Sequence, residues 1–320
     1  MTTILITLVL VGLVPLLLLV QRRWSRLRSI GSGLLVSYFT IVLLLLAGEV
    51  YFRYLHAAPE GQLARQNWMA RHWQTNSLGY RDSEPTPERY AGKQTVLVVG
   101  DSFAAGWGVP NVADRFSDVL AAKLGDGYAM FNLGQPGIAM SSELKNLQAY
   151  PVQPNVVILQ YFLNDIEDAA LSIGQYQEPP PMPDWARDSY LGNFLFSLGS
   201  GGFGPSYWAW EYARYDDFYG AWNAHQTEIK AFVDDVNRIG ARLIVVIFPN
   251  MQDPIGSIPY VDRVAQAFEA QGVTDILKLF DAVAAWPDPS TLLVSTRDAH
   301  PSAAFHRLVG DILYERFFQP

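Results

Sequence analysis

Hydrophobic positions are spread along this chain in two different ways. Near the start they run together: residues 3–20 form an almost unbroken apolar stretch, and residues 31–48 form a second, with Glu49 just beyond it. Each run has about the length of helix that crosses a bilayer core. Pro15 falls inside the first run, where a membrane helix tolerates it. From residue 95 the pattern changes, and short β-branched runs alternate with amphipathic stretches. The runs at 95–99, 128–133, 156–162, 241–248 and 275–280 predict strands. The stretches at 113–124, 141–150, 217–239, 261–270 and 301–318 predict helices. Ser141 or Ser142 is expected to cap the second of these helices, and Pro301 to stand in the first turn of the last. Such alternation predicts an α/β fold whose mostly parallel sheet is covered on both faces.

The link between the two apolar runs holds Arg22, Arg23, Arg26 and Arg28 and no acid. The positive-inside rule assigns it to the cytoplasm, so the N-terminus and everything after residue 50 are expected on the far side. Tyr51, Phe52 and Tyr54 follow the second run, as an interfacial aromatic belt would. No basic segment precedes the first run. That favours a transmembrane helical hairpin over residues 1–50 rather than a cleaved signal peptide. Residues 51–94 are polar and broken by Pro85 and Pro87, and read as a membrane-proximal linker. Residues 95–320 are enough for one large domain.

Charge and composition narrow the partners. The formal net charge is −8. Residues 1–50 contribute four Arg and one Glu, so the remainder carries −11. That argues against nucleic acid, and against a membrane surface held by charge alone. The 320 residues include no cysteine, which excludes disulfides, cysteine-based zinc sites and thiol catalysis within them.

Residues 169–216 interrupt the alternation and read as an insertion over or beside the active face. Pro179, Pro180, Pro181 and Pro183 are followed by Gly199, Gly201, Gly202 and Gly204. No Gly-Lys-Ser/Thr follows, so the glycines are not a phosphate loop. Trp208, Tyr212, Tyr215, Tyr219 and Trp222 then step at helical spacing. This stripe either packs on the sheet or offers a sugar-stacking or membrane-interface surface.

Candidate chemistry gathers where strands end. Val96-Leu97-Val98-Val99 runs into Gly100-Asp101-Ser102-Phe103, and ligands bind at the carboxyl ends of strands in open α/β sheets. A nucleophilic serine needs a base, a group that orients the base and donors for an oxyanion. Of the five histidines, His56 is at the membrane edge, His72 is in the linker, and His225 and His306 are inside predicted helices. His300 stands in Asp298-Ala299-His300-Pro301, in a predicted loop with an acid two residues away. Asn132-Leu133-Gly134-Gln135-Pro136-Gly137 follows the second strand, and its glycines permit turns that aim a backbone N–H. Phe162-Leu163-Asn164-Asp165 follows the third, where Asn164 either donates to an oxyanion or caps a helix. Asp165, Glu167 and Asp168 read as acids in a helix's first turn rather than a cation site.

Taken in this order, the four segments resemble the SGNH/GDSL hydrolase superfamily. Gly100-Asp101-Ser102-Phe103 resembles its first block, Gly137 its second-block glycine, Asn164 its third-block asparagine, and Asp298 with His300 its last block. Asn76-Ser77-Leu78-Gly79-Tyr80-Arg81-Asp82 resembles a lead-in of membrane-anchored members. Two departures stand out. Phe162 occupies a position usually held by glycine, which marks it as a substrate-binding candidate. The acid and base are spaced Asp-x-His rather than Asp-x-x-His, as in acetyl-transferring relatives.

The resemblance implies a three-layer α/β/α domain in which Ser102 is the nucleophile, His300 the base and Asp298 its orienter. The Ser102 N–H, the Gly137 N–H and the Asn164 side chain would form the oxyanion hole. Neither metal nor organic cofactor is implied. With the hairpin, the expectation is a serine esterase or deacylase anchored in a bacterial inner membrane and facing the periplasm. Its substrate would be an acyl or acetyl ester of an envelope glycan or lipid. Two further readings use the same residues: an O-acyltransferase with a multi-span membrane partner, and a non-catalytic scaffold subunit of a membrane complex.

Overall fold

The computed structural model of the chain describes residues 11–13, 25–175, 181–199, 205–216 and 220–319. Its strands are β1 (Gln94–Val99), β2 (Tyr128–Asn132), β3 (Val156–Tyr161), β4 (Arg242–Ile247), β5 (Ile276–Lys278), β6 (Leu293–Ser295) and β7 (Asp298–Pro301). The helices used below are α1 (Ser25–Val50), α2 (Gln62–His72), α3 (Ser102–Ala105), α4 (Phe116–Leu124), α5 (Met140–Ala149) and α6 (Glu167–Ser172). They continue with α7 (Tyr190–Gly199), α8 (Pro205–Tyr215), α9 (Ala221–Arg238), α10 (Pro254–Glu269) and α11 (Ala303–Leu313).

The chain forms two compact units, one of Met1–Arg71 with Pro179–Gly201, the other of His72–Glu178 with Gly202–Pro320. The larger is built on a parallel sheet in the order β2-β1-β3-β4-β5. Every residue of β3 is buried, and so are all of β1 after Gln94. Strands covered on both faces lose their alternation, which is why they read as unbroken apolar runs. Right-handed crossovers send α4 to one face and α5, α9 and α10 to the other. The contacts agree: α4 packs on α11, while α9 packs on α5, α6 and α10. Strand order reverses between β1 and β3, and the crevice at such a switch point is where α/β sheets bind ligands. Register Val98↔Asn132 brings the ends of β1 and β2 together there, and Val99↔Leu159 leaves β3 running two residues further, to Tyr161.

Several boundaries differ from expectation. The helix expected at 217–239 is α9, which begins only after Gly220 at φ 82°. That expected at 261–270 is α10, which starts at Pro254: Asp253 accepts from Gly256 N at 3.0 Å, and the helix runs on through Pro259. The α5 start is capped from elsewhere in the chain. Asp168 on α6 accepts from Ser142 N at 3.1 Å, and from Ser141 Oγ at 2.6 Å. Pro301 is the last residue of β7, not the first turn of a helix; Ser302 caps α11 instead, accepting from Phe305 N at 3.3 Å.

The aromatic stripe turns inward. Trp208 meets Phe162 edge-on at 5.8 Å, and Tyr212 stacks on Tyr260 at 4.2 Å. The Tyr215 hydroxyl lies 2.7 Å from that of Tyr161, and Trp222 is buried. Tyr219 lies outside the described residues, as do Pro179, Pro180, Gly201, Gly202 and Gly204.

Among the described residues of the smaller unit, one helix is long and apolar enough to cross a membrane. It covers Ser29–Leu55, with mean hydropathy 2.2 over its most apolar window, of which only 6% is buried. The expected first span, 3–20, lies outside the described residues except for 11–13, as do Arg22 and Arg23 of the link. Residues 11–13 are helical, and a Cβ on Gly12 would stand 2.9 Å from Tyr38 Cζ.

Candidate active site

The turn that carries Ser102 is built from Gly100 outward. A Cβ at Gly100 would stand 2.4 Å from Gln160 Oε1 and 2.9 Å from Ala104 Cβ, so only glycine fits as the chain leaves β1. Asp101 then caps α3, its carboxylate accepting from Phe103 N at 2.8 Å. Gln160 on β3 holds the same turn from below, its Oε1 accepting from Asp101 N at 3.1 Å and Ala104 N at 2.8 Å. Ser102 thus starts a single helical turn clamped from two sides.

The segment after α3 is fastened by Arg81 of the Asn76–Asp82 lead-in. Its guanidinium donates to the carbonyls of Ala105, Gly106, Val109 and Pro110 and lies 4.8 Å from the Trp73 ring. Burial and the neighbouring Arg115 bring its pKa down to about 10, which leaves it charged at neutral pH. The next residue, Asp82, accepts from Asn132 N at 3.0 Å, and the Asn132 amide donates to Ala104 O at 2.7 Å. A segment read as linker therefore braces two of the chemistry-bearing segments.

His300 arrives on a β-hairpin that the sequence reading missed. Strands β6 and β7 pair antiparallel, with Ser295 opposite Asp298. The hairpin sits against the loop after α3 at Gly108, where φ is 78° and a Cβ would stand 2.5 Å from Val294 Cγ2. This contact sets His300 Nε2 2.8 Å from Ser102 Oγ, although the two residues are 198 positions apart. On the other side of the ring, Nδ1 is 2.5 Å from Asp298 Oδ1. Asp298 is 5% exposed. The imidazole faces Phe103 at 5.2 Å and Trp107 at 6.2 Å.

The remaining predicted residues surround this trio. The Asn164 amide lies against the Asp101 carboxyl. Gly137 stands in the exposed turn beyond β2, and neither its N–H nor that of Ser102 donates to any described residue. Phe162 is 5% exposed and stacks on Phe103 at 4.1 Å, so it backs the wall of the site rather than opening onto it.

Beneath the site lie three fully buried carboxyls: Asp101, Glu143 and Asp165. Burial raises the pKa of each, and for Glu143 and Asp165 the neighbouring carboxyls push it further. Asp165 accepts from Phe162 N at 2.8 Å, and Glu167 accepts from the Tyr207 hydroxyl at 3.1 Å. Asp165, Glu167 and Asp168 do stand in first helical turns, as expected, and each also takes a hydrogen bond of its own. His306 is also buried; its Nδ1 accepts from Phe116 N, and burial lowers its pKa to about 3.

A serine, imidazole and carboxylate in sequence at the carboxyl edge of a parallel sheet define a serine hydrolase. The model of the GDSL-like lipase/acylhydrolase family matches residues 98–308, so the chain belongs to that family and is a serine hydrolase of ester bonds. Among solved structures, TesA is 16% identical, with 69% of this chain and 97% of that one covered at a TM-score of 0.43. The psychrotrophic esterase EstA from Pseudoalteromonas sp. is 16% identical, with 70% and 96% covered at 0.39. LAE5, an alpha/beta hydrolase from the metagenome of Lake Arreo, is 14% identical, with 71% and 96% covered at 0.41. No curated protein matches the chain.

Proposed function

We propose that this protein is a membrane-anchored serine esterase acting through an acyl-serine intermediate. Its substrate class would be an acyl or acetyl ester of an envelope glycan or lipid on the periplasmic side of a bacterial inner membrane. The observation that carries the reading is the 2.8 Å separation of Ser102 Oγ and His300 Nε2, with Asp298 on the opposite ring nitrogen. In the first half-reaction Ser102 Oγ attacks the ester carbonyl while His300 Nε2 takes its proton. Asp298 holds the Nδ1–H tautomer and stabilises the imidazolium. The oxyanion is met by the N–H groups of Ser102 and Gly137 and by the Asn164 amide. Collapse expels the alcohol, which takes the proton from His300. In the second half, His300 draws a proton from water as its oxygen attacks the acyl-serine; collapse returns that proton to Ser102 and releases the acid. Phe162 serves as the ring behind Phe103, narrowing the acyl side.

The anchor reading rests on Ser29–Leu55, on the basic link before it and on the apolar residues 3–20. The contact of Gly12 with Tyr38 supports a second helix packed on the first. The test is release of acetate from acetylated glycans and of alcohol from short acyl esters by the full chain in detergent. Hydrolysis that disappears in Ser102→Ala supports the proposal. Full activity in Ser102→Ala contradicts it, and transfer to a glycan in preference to water would make the protein a transferase.

A further inference from the structure

The segment 181–199 lies far from the N-terminus in sequence, yet it is built into the unit that holds α1. Glu49, near the end of the apolar helix, caps α7. Its carboxylate accepts from Ser189 Oγ at 2.8 Å, Tyr190 N at 3.1 Å and Leu191 N at 3.0 Å. The two backbone N–H groups are donors that a helix start leaves unpaired, and a negative charge suits that end of the helix dipole. A Cβ at Gly48 would stand 3.1 Å from Leu191 Cδ2, so the two helices meet closely. Phe52 stacks on Phe194 at 4.2 Å, and the buried Asn193 accepts from Leu63 N at 3.1 Å. The docking of α7 on the end of α1 is therefore specific.

What α7 presents outward is apolar. The helix has ten residues and no charge. Leu191, Leu195 and Leu198 step by four and three, which puts them on one face. Leu195 is 49% exposed and Leu198 53%, and Trp185, whose ring meets that of Phe196 at 6.1 Å, is 44% exposed. The stripe begins at Gly48, on the flank of α1, whose own Leu43, Leu44 and Leu46 are exposed. Ten residues span only about 15 Å, too short to cross a bilayer. Counted from Ser29, the roughly 20 residues that cross a hydrocarbon core end close to Glu49. The cap that starts α7 thus falls at the edge of the core, at the depth where Tyr51, Tyr54 and Trp185 are favoured.

We propose that α7 is an interfacial membrane helix, seated in the headgroup–acyl boundary with Leu195, Leu198 and Trp185 against lipid. The proposal rests on α1 being a membrane span. Its ligand is the bilayer itself; a short uncharged apolar helix offers phospholipid headgroups no charge, so binding comes from buried apolar area. The absence of cysteine makes the test direct. Leu195→Cys, Leu198→Cys, Val36→Cys and Gln271→Cys variants of the full chain carry a nitroxide and are reconstituted in phosphatidylcholine–phosphatidylglycerol vesicles. Collision with oxygen and with a water-soluble nickel chelate is then measured. Labels at 195 and 198 should show an oxygen-to-nickel ratio several-fold above the exposed Gln271 site and below Val36. If they match Gln271 while Val36 is in hydrocarbon, α7 is in water and the proposal fails with the anchor intact. If they are shielded from both agents, protein covers α7 and the proposal also fails. If Val36 itself is open to nickel, the membrane span is wrong and the proposal falls with it.

Discussion

Asp298 and His300 stand two residues apart on β7, so their side chains leave the same face of one strand. Asp298 Oδ1 accepts from the His300 backbone N–H at 3.0 Å and lies 2.5 Å from its Nδ1. The spacing Asp-x-His is therefore what a strand requires, because side chains alternate with a period of two. One residue inserted after Ala299 would throw the carboxylate to the opposite face. That insertion should abolish ester hydrolysis. Asp298→Asn, which keeps the shape but spoils the tautomer, should lower kcat by about 10⁴. Steady-state kinetics on a short acyl ester check both. An insertion variant with near-normal kcat would contradict this geometry.

On the proposed oxyanion role, Asn164→Ala should lower kcat roughly 10²–10³-fold, the usual cost of one such donor, with KM little changed. Because Asn164 also lies against Asp101, thermal unfolding should be compared in parallel. Loss of kcat with an unaltered melting curve is the expected result.

Gly108 governs how closely the hairpin approaches. Gly108→Ala puts a methyl into Val294 and a side chain into a left-handed conformation that alone costs roughly 1–2 kcal/mol. The expected outcome is a folded protein with reduced kcat, as His300 is pushed away from Ser102. Adding Val294→Ala should restore part of the activity but not the lost stability. A double-mutant cycle in kcat/KM measures that recovery.

The buried acids predict a pH signature. Glu143 has a folded pKa raised above its usual value by burial and by Asp101, Asp168 and Glu228. Its contribution is fully present below the unfolded pKa, near 4.5, and is lost as pH rises through the folded value. Glu143→Gln should therefore gain stability relative to the parent as pH rises from 4 to 8, by at most about 1.4 kcal/mol per unit. His306 has the opposite sign. Its pKa is lowered to about 3, so its contribution is complete above the unfolded value of 6.5 and is lost as pH falls toward 3. Denaturant titrations across this range should show His306→Asn to be the less acid-sensitive protein.

Local chemistry was readable in the sequence where one residue type admits one role. Gly100-Asp101-Ser102 after a β-branched run marks a strand handing over a serine, and β1, β3 and β4 are runs that only a doubly covered sheet explains. The hairpin was not readable: β6 and β7 are three and four residues long, and Pro301 before an amphipathic stretch reads equally as a helix start. Glu143 stands in the first turn of α5 like any helix-start acid, and nothing local in the sequence shows that it is buried near Asp101. The placement of 181–199 depends on Glu49 reaching Ser189, a contact across 140 positions that leaves no periodic trace. Arg81 was visible only as part of a resemblance; its four loop carbonyls are gathered by the fold.

The central claim is that Ser102 is made nucleophilic by His300. Its most direct test is intact-mass and peptide mapping of the full-length protein after treatment with a fluorophosphonate. The account predicts one adduct per chain, located on Ser102, with labelling slowed drastically in His300→Gln and absent in Ser102→Ala. An unlabelled parent protein, or an adduct that persists in Ser102→Ala, would contradict it.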